Sequence, residues 1–229
     1  MQIAQYDNFS FYTDDPVFYH SINNGYTEPY PLHLDIVKRY LKIFPNKNRT
    51  YIDIGAHIGT TIMPYSRLFH KVVGYEANPK TYNILVENIK INSVENVNVY
   101  NFGLYSEECR GDVLQHNGGN SGCYFFVKNE NGSIICKTLD GECNDKNIEN
   151  IDFIKLDTEG CEYLILLSGK ETILKNKPLI QFETNSSAKD LFNLENKDTI
   201  QFLLDLGYSI FDQSDSSNIF LYFPTELEV

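Results

Sequence analysis

The stretches Tyr51-Ile-Asp-Ile-Gly-Ala-His-Ile-Gly-Thr60 and Val72-Val-Gly-Tyr-Glu76 decide the fold. The first stretch predicts a buried strand, a tight turn from Gly55 to Gly59 and the start of a helix. Gly55 can adopt backbone angles that a Cβ forbids, and Gly59 allows a ligand to approach the main chain. The second stretch predicts another buried strand that ends at Glu76, and an acidic residue about 20 positions after a glycine turn suits the two hydroxyls of a ribose. The expected ligand is therefore a nucleoside-like cofactor.

The glycine pattern and the charge of this turn indicate which cofactor it holds. A nicotinamide dinucleotide site needs a G-x-G-x-x-G turn that cradles a pyrophosphate, and here only Gly55 and Gly59 are present. Asp53 would also repel phosphate, whereas its carboxylate suits a cofactor with a cationic amino-acid end. S-adenosylmethionine has such an end and is the cofactor we expect. The plain alternative is an α/β domain with an ordinary strand–turn–helix and a solvated Glu76.

Composition bounds the class of protein. With 229 residues and 42% hydrophobic content, the chain can bury one sizeable core, and we expect a single domain. The net charge of −12 repels nucleic acid and anionic membranes, so neither is an expected partner. Five cysteines without a CxxC pair indicate reduced thiols. Since no signal peptide or membrane-spanning run is apparent, we expect a soluble cytoplasmic protein.

Helical and β-rich segments alternate along the chain, which predicts βαβ units and a mainly parallel sheet with helices on both faces. The last two strands have no helix between them, so one of them should run antiparallel. We divide the chain into an N-terminal cap and helix (1–45) and an α/β core (46–229). Besides the two strands above, helices are predicted at 32–44, about 60–69, 80–92, 164–175 and 199–206, and strands at 97–102, 151–157, 179–183, 208–211 and 218–223.

The segment from about 103 to 140 interrupts this alternation. It is polar and rich in glycine, and we expect it to be a flexible insert that faces the substrate, because α/β sheets bind ligands at loops outside the carboxyl ends of their strands. Within it, 123–127 and 133–138 flank the sequence 129–132 and predict a β-hairpin.

The fourth strand carries the residues that we expect to act in catalysis. Alternation places Lys155 and Asp157 on one face, with Glu159 just beyond the strand end. Charges inside a central strand are costly unless they are paired, so Lys155 should neutralise Asp157 or a ligand, and the alternative is a purely structural ion pair. Asp157 and Glu159 are the first candidates to accept a proton from a hydroxyl acceptor, and His116 is the second. Glu183, which ends the fifth strand, could hold the acceptor or pair with Lys155.

Three residues at the ends of adjacent strands could support a metal-assisted reaction. Asp157, Glu183 and Asn185 follow adjacent strands and offer the oxygen ligands that Mg²⁺ prefers. Their spacing does not require a metal, and we predict none.

Seven segments give the chain a family resemblance. Together they cover most of residues 50–185, and the chain resembles the FkbM-type methyltransferases, a branch of the S-adenosylmethionine-dependent Rossmann-like superfamily. The resemblance implies a seven-stranded, mostly parallel sheet with a reversed last strand. The segments are YIDIGAHIGT (51–60), GYEANPKTYNILVENIKIN (74–92), VNVYNFGLYSEE (97–108), GNSG (119–122), KTLDGE (137–142), IDFIKLDTEGCEYLILLSG (151–169) and PLIQFET (178–184).

The resemblance also implies roles for individual residues. Asp53, Gly55 and Gly59 would line the methionine end of the cofactor, and Glu76 would bind the ribose. His57 stands where the family usually has asparagine. The other expected cofactor contacts are Glu28 (closing over the site), Thr60, Ala77, Asn101, Phe102, Gly103 and Asp157, and the expected acceptor contacts are Asn120, Ser121 and Glu183.

The expected reaction is methyl transfer from S-adenosylmethionine to a hydroxyl, most often on a sugar of a glycan or glycoconjugate. Four alternatives stay open at this stage. They are another small-molecule hydroxyl of polyketide type, a nucleic-acid or protein acceptor (which the acidic charge disfavours), a non-catalytic cofactor-binding module that serves a glycosyltransferase domain or partner, and an NAD-linked oxidoreductase.

Overall fold

A computed structural model describes residues 2–26, 31–115, 121–184, 195–214 and 217–224. The strands are β1 (Gln2–Tyr6), β2 (Phe9–Thr13), β3 (Thr50–Ile54), β4 (Lys71–Tyr75), β5 (Val97–Tyr100), β6 (Gly103–Leu104), β7 (Cys109–Gln115), β8 (Tyr124–Lys128), β9 (Ile134–Lys137), β10 (Ile151–Leu156), β11 (Leu179–Glu183), β12 (Ser209–Asp212) and β13 (Asn218–Tyr222). The helices are α1 (Pro16–Asn23), α2 (Pro31–Ile43), α3 (Ile62–Ser66), α4 (Pro79–Ile91), α5 (Leu139–Asp145), α6 (Glu162–Ser168), α7 (Lys170–Asn176) and α8 (Asn196–Asp205).

The central sheet has seven strands in the order β12-β13-β11-β10-β3-β4-β5. The pairs from β11 to β5 are parallel, and β13 runs antiparallel to both β11 and β12. Every residue of β3 and β10 is buried, as expected for strands covered on both faces. The predicted α/β fold with a reversed last strand is confirmed.

Alternate side chains of the strands feed two hydrophobic clusters, one on each face of the sheet. Ile52 and Ile154 pack with buried residues of α5, α6, α7 and α8. Tyr51 and Phe153 stack at 4.8 Å between ring centroids and pack with residues of α2, α3 and α4. The helices therefore cover both faces, and the carboxyl ends of β3, β4 and β10 meet at one edge of the sheet.

One predicted helix is two. The sequence pattern from 164 to 175 suggested a continuous helix, but α6 and α7 are separated at Gly169. A Cβ at this position would lie 2.4 Å from Cδ2 of Leu139, so the glycine lets α5 pack into the break. The helix that we expected near 60–69 is also shorter, and the strand expected at 97–102 ends at Tyr100.

The N-terminal segment contains regular structure that the sequence pattern did not reveal. β1 and β2 form an antiparallel hairpin, and the two residues of its turn, Asp7 and Asn8, have φ of 49° and 65°. Two asparagines of α4 dock this hairpin. Asn88 accepts from the backbone N–H of Tyr12 at 2.6 Å and donates to its carbonyl at 3.1 Å, and Asn92 binds Ser10 in the same way.

The insert is a four-stranded sheet in the order β6-β9-β7-β8, and the predicted hairpin within it is wrong. β8 and β9 both pair with β7 in antiparallel fashion. The connection between them crosses β7 so closely that a Cβ on Gly132 would lie 2.1 Å from the carbonyl oxygen of Gly111. Local sequence proximity favoured a hairpin, but the glycine pair makes the crossing possible.

Candidate functional site

The turn after β3 is held against both neighbouring strands. The backbone N–H groups of Gly55 and Ala56 donate to the carbonyl of Tyr75 at 3.0 Å, and the N–H of Asp157 donates to the carbonyl of Ile54 at 2.9 Å. Gly55 has φ of 84°, and a Cβ there would lie 1.8 Å from the carbonyl oxygen of Asp157. A glycine is thus required at position 55 for two reasons. The turn needs a positive φ, and the backbone that follows β10 comes too close to leave room for a Cβ.

Gly59 is constrained by packing against α4. It is buried with φ of 92°, and a Cβ there would lie 2.7 Å from Cδ1 of Leu85. It lies outside the linings of the two cavities described below. A contact of Gly59 with the cofactor stays a prediction.

Glu76 is fixed by backbone donors on both sides of its carboxylate. Its Oε2 accepts from the N–H of His57 at 2.9 Å, and its Oε1 accepts from the N–H of Asn78 at 2.8 Å. The left-handed backbone of His57, with φ of 47°, aims that N–H at the carboxylate. Burial raises the pKa of Glu76 to about 7, against the lowering effect of the two backbone donors.

Beside Glu76 lies a first cavity that is partly open to solvent. Part of its lining is apolar, and Glu76 adds a carboxylate. This combination suits a nucleoside, because the base has apolar faces and the ribose has hydroxyls that donate hydrogen bonds. The apolar lining includes Ala77, Phe102, Val113 and Phe126. The other predicted site residues that line it are Gly55, His57, Gly103, Ser121, Asp157 and Glu159.

A second, larger cavity adjoins the first. The two share five lining residues, which are Gly55, His57, Gly122, Asp157 and Glu159. Of the predicted residues, Thr60, Lys155 and Glu183 line the second cavity only. The structure therefore brings the proposed catalytic carboxylates to the junction of two compartments.

The predicted pairing of Lys155 with Asp157 is present. Lys155 is 2% exposed, and its ammonium group donates to Oδ2 of Asp157 at 3.0 Å. The turn after β10 is shaped by buried Glu162, which accepts from the N–H and hydroxyl of Thr158 at 2.8 and 2.9 Å. Glu159, next in this turn, has φ of 55°, an uncommon conformation that points to a functional constraint.

Besides Gly59, two described residues that we expected to touch the cofactor lie outside both cavity linings. Asp53 is completely buried, accepts from the hydroxyl of Thr61, and has a pKa raised by burial to about 6, against the lowering effect of Lys155. Exposed Asn101 donates to the carbonyls of Glu76 and Ala77 at 2.8 and 3.3 Å. Asp53 is thus placed beneath the turn, and Asn101 positions the backbone around Glu76.

Two N-terminal residues that the sequence did not indicate, Asp15 and Phe18, also reach this site. Oδ2 of Asp15 accepts from the N–H of Ser121 at 2.6 Å, and Nε2 of His57 lies 3.2 Å from Oγ of Ser121. The rings of Phe18 and His57 pack at 4.4 Å between centroids. Burial lowers the pKa of His57 to about 4, so the imidazole is neutral at pH 7. These contacts join the N-terminal segment, the turn and the insert above the first cavity.

Four residues named from the sequence, Glu28, His116, Asn120 and Asn185, lie outside the described part of the chain. Within that part, no three His, Cys, Asp or Glu side chains are grouped so as to hold a metal ion. None of the described helices has both the length and the apolar character needed to cross a bilayer.

Comparison with known proteins identifies the family. The model of the methyltransferase FkbM domain matches residues 53–210, more than half of the chain. The chain belongs to this family. The match confirms the resemblance drawn from the sequence motifs, and it assigns the chain to S-adenosylmethionine-dependent methyltransferases. No curated protein matches the chain.

Solved structures show the same fold. A methyltransferase FkbM from Methylobacillus flagellatus KT has 18% sequence identity and a TM-score of 0.52, over 78% of this chain and 44% of that one. This FkbM chain therefore spans less than half the length of that relative. A precorrin-6y C5,15-methyltransferase from Geobacter metallireducens GS-15 has 12% identity and a TM-score of 0.53, over 96% of this chain and 100% of that one.

The residues around the first cavity fit S-adenosylmethionine. Glu76 would provide a carboxylate for the ribose hydroxyls, and Phe102 and Ala77 would provide an apolar wall for the adenine. The carboxylates of Asp157 and Glu159 suit the cationic part of the cofactor at the far end. The methionine-end contact expected of Asp53 would instead fall to these residues and to the turn.

Proposed function

We propose that this FkbM-family chain transfers a methyl group from S-adenosylmethionine to a hydroxyl on a sugar of a glycan or glycoconjugate. One observation carries the proposal: the first cavity, which fits the cofactor, and the larger second cavity meet at Asp157 and Glu159. A carboxylate at this junction is in the right place to accept the proton of an attacking hydroxyl.

When bound, S-adenosylmethionine supplies an activated methyl group on a sulfonium. The protein then has to align the acceptor, exclude water and receive one proton. Lys155 binds Oδ2 of Asp157 at 3.0 Å and so leaves Oδ1 as the oxygen that takes the proton. Glu159 places a second carboxylate at the junction. His57, which also lines both cavities, is neutral there because burial lowers its pKa.

The charge of the site is consistent with this reaction. Asp157 and Glu159 favour a cationic donor by Coulomb attraction, and their effect fades with distance into the cofactor cavity. A nucleic-acid acceptor would need a basic surface, whereas the chain has a net charge of −12. A small, uncharged hydroxyl compound is the acceptor class that agrees with both facts.

The test is a transfer assay with a panel of acceptors. The protein is incubated with S-adenosylmethionine and methyl glycosides, oligosaccharides, nucleotide sugars or phenolic and polyketide-like hydroxyl compounds, and S-adenosylhomocysteine and methylated products are measured by mass spectrometry. Asp157→Asn should lower turnover by about 100-fold or more while cofactor affinity is retained. Exposed Asp205→Asn on α8 is the matched control and should keep full activity.

Several results would contradict the proposal. Tight cofactor binding without transfer to any hydroxyl would favour a non-catalytic module. Transfer only to non-sugar hydroxyls would move the substrate class to small molecules of polyketide type. Full activity of Asp157→Asn would remove Asp157 from the role of base.

A further inference from the structure

The two cavities differ in which parts of the chain build them. Every residue that lines the first cavity lies between Ile54 and Cys161, inside the family match at 53–210. The second cavity is lined in part by residues outside the match, among them Phe18, Tyr26, His33 and Asn218. The first cavity therefore lies within the range that the family model covers, and the outer part of the second cavity is built in part by segments outside that range.

Tyr26 is the exposed aromatic of this outer part. Its side chain is 74% exposed, although it belongs to the lining of the second cavity. Its backbone N–H donates to the carbonyl of Ser21 at 2.8 Å, which fixes it after the end of α1. The exposed ring of Tyr26 is thus available to a ligand at this cavity, and an aromatic ring offers an apolar face for packing.

Another part of the lining is polar and held by hydrogen bonds. His33 and Asn218 are 0% and 3% exposed, and both contact Gln181 of β11. Nε2 of Gln181 donates to Oδ1 of Asn218 at 2.9 Å and lies 3.4 Å from Nδ1 of His33. The His33 ring also packs edge-on against Phe220 at 5.6 Å. The cavity thus combines an aromatic face at its mouth with fixed polar side chains deeper inside.

We propose that Tyr26 is an acceptor-recognition residue of this chain and that its ring packs on the apolar C–H face of a sugar ring. The sugar's hydroxyl edge then points to the polar side of the second cavity, where Glu183 and Ser217 also contribute to the lining. A pyranose has both an apolar face and a polar edge, so the two parts of the cavity complement it. This inference rests on the proposed function and adds the residue that selects the ring.

Direct binding tests the inference without requiring turnover. The protein is saturated with S-adenosylhomocysteine, and binding of methyl glucoside, methyl galactoside and methyl rhamnoside is measured by saturation-transfer NMR and calorimetry. Tyr26→Ala should weaken glycoside binding about five- to tenfold, because the aromatic face is lost. Tyr26→Phe, which keeps the ring, should bind within about twofold of the wild type. Affinity for S-adenosylhomocysteine should be equal in all three proteins, since Tyr26 lies outside the first cavity.

Equal glycoside binding by Tyr26→Ala and the wild type overturns the inference. So does a wild-type protein that binds none of the glycosides at about 20 mM, where even a millimolar ligand is mostly bound. If glycoside binding depends on the ring but no methyl transfer is found with any acceptor, the proposed function fails and the inference stands. If transfer to sugars occurs with equal Michaelis constants for all three proteins, the proposed function stands and the inference fails.

Discussion

Replacing Glu76 by glutamine should weaken cofactor binding strongly while leaving the chain folded. In the structure both carboxylate oxygens accept a backbone N–H, at 2.9 Å from His57 and 2.8 Å from Asn78. Their remaining lone pairs are the ones that would accept the two ribose hydroxyls. A glutamine has one oxygen, so its NH₂ group must face either a backbone N–H or a ribose hydroxyl that needs an acceptor.

The size of the effect follows from these bonds. A hydrogen bond to a charged group contributes about 1.5–3 kcal/mol. Loss of one such bond, together with conversion of the other to a neutral one, costs about 2–3 kcal/mol, which is a 30- to 150-fold increase in the dissociation constant. Glu142→Gln is the matched control, because Glu142 is 1% exposed and ion-paired with Lys137 but does not line the first cavity. It should lower stability without changing cofactor affinity.

Calorimetry with S-adenosylhomocysteine and its 2′-deoxy analogue isolates the ribose contact. The wild type should lose affinity for the deoxy analogue, and Glu76→Gln should hardly distinguish the two ligands. Binding should also depend on pH. Because the pKa of Glu76 is about 7 in the free protein, protonation below that value removes the ionised acceptor, and affinity should fall by up to about tenfold per pH unit. Glu76→Gln should lack this component.

Two outcomes refute the reasoning about Glu76. One is an unchanged dissociation constant for Glu76→Gln. The other is the same penalty for the 2′-deoxy analogue in both proteins, which would place the ribose elsewhere. If Glu76→Gln loses its cooperative unfolding transition, its stability and cofactor affinity are compared with those of Glu142→Gln, which also removes a buried carboxylate.

Gly55→Ala should cost at least about 3 kcal/mol in urea unfolding, because φ is 84° and the new Cβ would lie 1.8 Å from the carbonyl oxygen of Asp157. Gly207→Ala has a similar φ of 94° but its nearest contact is 3.3 Å away, so about 1–2 kcal/mol is expected, and equal losses would contradict the steric argument. Asp53 has a pKa raised from 3.8 to about 6, so its contribution to stability is present below pH 4 and is lost as the pH rises through 6. Asp53→Asn should therefore reduce the difference in unfolding free energy between pH 5 and pH 8 by about 1.4 kcal/mol, and an unchanged difference would show that the carboxyl is not perturbed.

The central sheet was predictable because its signals are local. Two apolar strands flank the turn at 55–59, and the absence of a helix between 212 and 218 required a reversed strand. Lys155 and Asp157 were also found, since alternation along one strand placed them together and burial made pairing necessary. The cofactor family followed from the same segments.

The parts that could not be predicted depend on contacts between distant segments. Asp53 was expected to face the ligand, but it lies in the sheet with Lys155 as its register neighbour on β10. That neighbour, and the hydroxyl of Thr61, give its carboxylate partners within the protein. The structure of the insert and the contacts of the N-terminal segment were not predicted for the same reason. Neither strand order nor the contact of Phe18 with His57 has a signature in the local sequence.

At the C-terminal end of α4, the side-chain amides of Asn88 and Asn92 form hydrogen bonds with the backbone of β2, as a neighbouring strand would. A shortened gene that starts where the family match begins would remove this backbone partner and uncover Ile58, Met63 and Ile84, which now pack beneath the hairpin. The encoded product would expose an apolar surface that favours aggregation. The side-chain amides of Asn88 and Asn92 would also lose their hydrogen bonds to β2. Expression trials on this protein should therefore keep the first 26 residues, although no family signature marks them as needed.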